Sequence, residues 1–146
     1  MAWLVAALDP AGVPENVLTS RAARGYLAGV TEEAGELPLK KTRGALRALH
    51  RLSLVAHDPD ARNPRGVRMH NLTGRAIQQT LTEDLGRLVL VAANALLSSW
   101  PDVDRNAPLS EALRANTVKL SEINAAALWE EGSALIRCCS AVVDPW

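Results

Sequence analysis

Few residues in this chain have the type and spacing to do chemistry. The three histidines, His50, His57 and His70, stand well apart, and no acidic pair accompanies them at metal-ligand spacing. Cys138 and Cys139 are neighbours, which bridge only through a strained ring. With no second pair they complete neither a disulfide scaffold nor a zinc site, and a reducing compartment is the default expectation. No GxxxxGK(S/T) or GxGxxG phosphate cradle occurs, and no GxSxG or HExxH motif. A hydrolase made from this chain alone would lack an evident nucleophile and base. The expectation is a non-enzymatic protein, with no metal and no cofactor held by this chain alone.

The basic residues are better organised. Lys+Arg and Asp+Glu number 16 each, so the formal net charge is zero. Residues 40–75, however, hold nine basic residues against only Asp58 and Asp60, a net of seven positive charges, which leaves seven negative for the flanks. Within that segment Arg43, Arg47 and Arg51 fall at i, i+4 and i+8, placing three guanidiniums along one helix face. Arg62, Arg65 and Arg68 follow in a turn-rich stretch. Such a set could read DNA, with Arg43, Arg47 and Arg51 in a groove and Arg65 and Arg68 on phosphates. It could equally be a solvated face, or one that docks on an acidic domain.

These side chains need elements to position them. The composition is 48% apolar and only 3% aromatic, with no Phe, so Leu, Ala and Val must fill the core and a mostly α chain is expected. Residues 1–8 read as an apolar helix without a cap, either an ordinary first helix or the point where the sequence enters a larger architecture. Asp9-Pro10-Ala11-Gly12 is a turn, and a short helix follows over 14–18. Thr19 or Ser20 caps a helix to about Ala28, with Ala23, Tyr26, Leu27 and Val30 at helical spacing. Residues 31–41 read as a loop. Thr42 is expected to cap a helix over 43–53 whose stripe is Leu46, Leu49 and Leu52 or Ser53. Residues 54–57 and 67–70 are short β-prone runs around a turn-rich segment, predicting a hairpin with a loose tip. Val67 and Met69 share one of its faces, Arg68 and His70 the other. A helix follows over 72–81, inner side Leu72, Ala76, Ile77 and Thr80 or Leu81.

From Thr82, a good cap with Glu83 and Asp84 behind it, a long helix runs to about Trp100. Its inner positions are Leu85, Leu88, Val89, Ala92, Leu96 and Leu97. Another helix covers 108–120 and could extend through Ala127 to Glu131. The expected architecture is mainly α: a winged-helix-like domain with one small β-hairpin over 1–81, then antiparallel helices forming a repeat-like linker over 82–146. The start lacks a positively charged leader, and the stretch from Leu85 to Trp100 is interrupted by Arg87 and Asn94, so a cytoplasmic protein is expected.

At VRMHNL, residues 67–72, the sequence resembles the MHD motif that ends the winged-helix domain of NB-ARC (STAND-class) ATPases. The context agrees. LDPAGVPENVLTSRAARGYL at 8–27, ALRALHRLSLV at 45–55 and VRMHNLTGRA at 67–76 resemble, in order and spacing, the winged-helix region of actinobacterial NB-ARC/tetratricopeptide-repeat proteins. WPDVDRNAPLSEALRANTVKL at 100–120 is similar to the helical segment linking that region to their repeats. The resemblance implies that His70 contacts the phosphate of ADP bound by a neighbouring nucleotide domain and holds the protein off until ATP replaces it. ADP and ATP are thus expected only in a full-length context. Asn71 replaces the motif's acid, so no carboxylate-dependent lock is implied. No P-loop domain lies within the chain and the tail from Gly132 does not match the repeats, so a truncated product or fragment is expected, with Trp3, Leu4, Trp129 and Cys138 as core residues short of neighbours.

Three functions remain in view. The first is a regulatory arm of a STAND-type ATPase, partnered by a nucleotide-binding domain and by proteins that meet its helices. The second is a winged-helix transcriptional regulator using Arg43, Arg47, Arg51, Arg65 and Arg68. The third is a helical protein-interaction module. His70 itself could also be a hairpin-end histidine bonded to backbone.

Overall fold

The computed structural model describes residues 1–60, 62–80, 85–101 and 106–123. The helices among them are α1 (Ala2–Ala6), α2 (Glu15–Leu18), α3 (Arg21–Val30), α4 (Leu39–Arg51), α5 (Asn71–Gln78), α6 (Leu85–Ser98) and α7 (Ala107–Ile123). One antiparallel hairpin, β1 (Ala56–His57) with β2 (Val67–Arg68), sits between α4 and α5. The described residues are therefore mainly α with a single small hairpin, in the expected order.

Helix α6 is the centre of the packing. It buries Leu88, Val89, Ala92, Ala93, Ala95 and Leu96, and it meets α1, α2, α3 and α7. Its apolar face was legible from the sequence, although Leu85 and Leu97 are only half-buried. Leu4, Leu8, Val17, Leu18, Leu27, Leu46, Val67, Leu113 and Leu120 join the same core, which runs without a break from α1 to α7. Burying each leucine contributes about 2 kcal/mol. Small alanines on α6 bring the neighbouring helices close in a chain without Phe.

Two polar devices hold the ends of the core together. Asp9 and Gly12 form the expected turn: Asp9 Oδ1 accepts the Ala11 N–H at 2.9 Å, and Asp9 O accepts the Gly12 N–H at 3.0 Å. Gly12 has φ +132°, and a Cβ there would lie 2.7 Å from Arg65 Cβ, so only glycine fits. Asn116 of α7, fully buried, reaches this turn. Its Nδ2 donates to Gly12 O at 3.0 Å, and its Oδ1 accepts the Asp9 N–H at 2.9 Å.

Several boundaries and faces differ from the expectation. Ser20 caps α3, accepting the Ala23 N–H, and the helix runs on to Val30, which is exposed. Helix α4 begins at Leu39, with Pro38 at its N-cap position, and Thr42 is not a cap. Pro38 fixes its own φ at −58° and offers its carbonyl to the Thr42 N–H, so the helix starts one turn early. Thr42 is fully buried, and its hydroxyl donates to Pro38 O. At the other end, the Leu54 N–H donates to Leu49 O and the Ser53 N–H to His50 O, closing the helix with Ser53 at φ +58°. Leu52, the last residue before that turn, is 68% exposed and does not extend the stripe.

The hairpin pairs Ala56 with Arg68 and His57 with Val67. Val67 and Met69 are buried while Arg68 and His70 are exposed, as their alternation predicts. Unforeseen was Val13, which pairs with the free side of Val67 through N–H···O bonds of 2.8 and 3.0 Å. A single residue between Gly12 and Pro14 carries no period-two signal. Side chains bond to the backbone among the described residues of the tip. Asp58 Oδ1 accepts the Asp60 N–H, Asp60 Oδ1 the Arg62 N–H, and Asn63 Oδ1 the Arg65 N–H, while Asn63 Nδ2 donates to Asp58 Oδ2.

Helix α5 turns a different face inward. Gly74 is buried and Ile77 and Gln78 are half-buried, whereas Leu72 is 69% exposed and Ala76 is exposed. The partner explains this. Gly74 lies against the α1 backbone at Ala6, Gln78 Nε2 donates to Ala6 O, and the Trp3 indole donates to Thr80 Oγ1. A glycine and polar side chains outcompete a leucine because α1 approaches closely and offers an uncapped carbonyl. The Thr82 cap, Leu81, the extension to Glu131, Trp129 and the Cys138-Cys139 pair lie outside the described residues. Among the described residues, no helix is long and apolar enough to cross a membrane.

Candidate functional site

His70 stands where β2 ends and α5 begins. With φ −61° and ψ 137° it occupies the N-cap of α5, and its Nδ1 accepts the Leu72 N–H at 3.3 Å. The backbone-bonded histidine foreseen as an alternative is thus part of its geometry. That bond also fixes the chemistry of the other nitrogen. A neutral imidazole accepting at Nδ1 carries its proton on Nε2, so His70 offers an Nε2–H donor from an exposed position.

Beside it opens a cleft of about 510 Å³, floored by Leu54, Val55 and Met69 and edged by His50, Arg68 and His70. No carboxylate lines it among the described residues. His50 is held the opposite way round. Its Nδ1 lies 3.1 Å from Val55 O, which can only accept, so Nδ1 donates and Nε2 is left as an acceptor. On its other side His70 borders a crevice of only about 40 Å³ shared with Gly74, Arg75, Gln78 and Lys119.

A second polar cluster ties three elements together. Glu15 at the start of α2 accepts from Arg43 Nε of α4 at 2.8 Å and from His57 Nε2 of β1 at 2.9 Å. His57 is 8% and Glu15 16% exposed. Burial pushes the Glu15 carboxyl up, but the hydrogen bonds from His57 and Arg43 and their charges hold it below the ordinary glutamate value. The His57 ring also stands edge-on to His50, with centroids 6.4 Å apart. Nothing in the sequence singled out Glu15, because its partners lie 28 and 42 residues away.

The five arginines considered for nucleic acid do not form one set. Arg43 is engaged by Glu15, and Arg65 lies 3.4 Å from Asp9 Oδ2 and 3.6 Å from Glu111 Oε1. Arg47, Arg51 and Arg68 are exposed. Asp58, across the hairpin, sits below its ordinary carboxylate value, first through the Asp60 N–H, then through Asn63, with His57 and Arg68 adding charge. No group of three or more His, Cys, Asp or Glu side chains among the described residues is placed to hold a metal ion. No protein-family model, no curated protein and no solved structure matches this chain.

Proposed function

We propose that the chain is the non-catalytic regulatory arm of a STAND-type signalling ATPase, in which His70 senses ADP held by a separate nucleotide domain. The observation that carries this reading is the capping bond of His70. It commits Nδ1 to Leu72 and leaves Nε2–H as an exposed donor at the edge of a cleft with Arg68 and no lining carboxylate among the described residues. A phosphate oxygen accepts well from such donors, and an acid-free rim does not repel it. The nucleotide would supply charge, while this chain would supply an oriented imidazole. Val67 and Met69, buried on the opposite side of the strand from His70, join the core that α6 and α7 share. The helices would pass the state on to protein partners, and the reading places the protein in the cytoplasm. It requires a P-loop domain in the same polypeptide or complex. Sequencing the gene upstream of the Met1 codon tests this: an in-frame phosphate-cradling motif is expected, and a locus and purified complex without any nucleotide-binding domain would overturn the reading.

A further inference from the structure

Helix α4, LKKTRGALRALHR, holds no acidic residue. Its buried side is Thr42 and Leu46, with Leu49 half-buried. Lys40, Gly44, Arg47, Ala48 and Arg51 fall at i, i+4, i+7, i+8 and i+11, and all five are exposed on the opposite side. Arg43 and His50 lie on the flank toward the hairpin and its neighbours, bonded to Glu15 and to Val55 O. The outward face therefore interleaves basic and small side chains, with Arg47 standing between Gly44 and Ala48. A Cβ added at Gly44 would meet nothing within 4 Å, and Ala48 adds one methyl. The guanidiniums of Arg47, Arg51 and Arg68 make no hydrogen bond or ion pair with other described residues. Arg65, by contrast, is withheld by Asp9 and Glu111.

We infer that this outer face of α4, together with Arg68 of the hairpin, binds duplex DNA with α4 entering the major groove. That groove admits one α-helix, and Gly44 and Ala48, on either side of Arg47, keep the face narrow enough to enter it. Lys40, Arg47 and Arg51 then reach the groove walls and phosphates. An acidic protein surface would meet the same charges. A stable protein interface, however, centres on a large apolar or aromatic anchor, and none of the five residues on this face is one. The inference does not depend on the role of His70.

The test is fluorescence anisotropy of a labelled mixed-sequence duplex of about 20 base pairs between about 50 and 200 mM salt. Wild type is expected to bind, with affinity falling steeply as salt rises. Replacing Arg47 and Arg51 together by Ala should weaken binding at least about tenfold at low salt and reduce the salt slope by about 2. Arg65→Ala should change affinity less than about twofold, because that guanidinium is already paired. Ala48→Glu, an exposed helical change that leaves the melting transition intact, should abolish binding. No duplex binding at about 50 mM salt, or equal losses from Arg65→Ala and the Arg47/Arg51 pair, would overturn the inference.

Discussion

At the scale of single residues, backbone partners decide which nitrogen of a histidine is free. His70 Nδ1 accepts from Leu72, whereas His50 Nδ1 donates to Val55, so the two neutral rings should be opposite tautomers across one cleft. Nitrogen chemical shifts of the neutral imidazoles should show Nε2–H for His70 and Nδ1–H for His50; matching tautomers would contradict the geometry. The sequence singles out His70 only through the resemblance of VRMHNL to the MHD motif, and its tautomer was not legible, since it depends on a capping bond. Glu15 gives a second prediction. Its carboxyl is depressed in the folded state, so its contribution is fully present above the ordinary glutamate value of about 4.3 and disappears as pH falls through the lower folded value. Glu15→Gln should therefore cost about 1 kcal/mol near neutrality, with the difference in urea midpoint from wild type shrinking as pH falls through the lower folded value. A pH-independent difference would remove the carboxylate from the account. Ser53 is the third. It holds φ +58° where glycine is the residue of choice, so Ser53→Gly should raise stability by about 1 kcal/mol in urea titration.

At the scale of elements, packing partners overrule propensity where the two disagree. Helix α5 was legible in existence but not in orientation. Periodicity assigned Leu72 to the inside, yet α1 offers a close backbone and a free carbonyl that Gly74 and Gln78 satisfy. Leu72→Ser should thus stay within about 0.5 kcal/mol of wild type, while Leu46→Ala, emptying a fully buried site, should cost about 3 kcal/mol. The start of α4 was misread for a similar reason. Thr42 has the right type for a cap, but Pro38 four residues earlier already starts the helix, and Thr42 turns inward. Helix α7 depends on Asn116. Removing its amide leaves the Asp9 N–H and Gly12 O without their buried partner, so Asn116→Ala should cost about 2 to 3 kcal/mol, read as a lower urea midpoint. Asn116 was not legible beforehand, since an asparagine inside an amphipathic helix reads as a surface residue until the turn it serves is placed beside it.

At the scale of the molecule, zero net charge conceals a division that the fold makes concrete. The positive segment supplies α4, the hairpin and α5, and part of that charge is spent internally: Arg43 on Glu15, Arg65 on Asp9 and Glu111. The remainder lies exposed around the His70 cleft and along α4. Helical class, the hairpin and the apolar face of α6 followed from periodicity, which is local. The contact of Val13 with β2 and the anchoring of α7 join residues dozens of positions apart and could not be read from spacing. The proposed contact between the free Nε2–H of His70 and a nucleotide phosphate is open to direct measurement. It is read in the release rate of a fluorescent ADP from a complex of this chain with the nucleotide-binding domain proposed above, compared with its His70→Ala form. Release from the His70→Ala form should be faster by about tenfold or more, the loss of one hydrogen bond to a charged group. An unchanged release rate would contradict it.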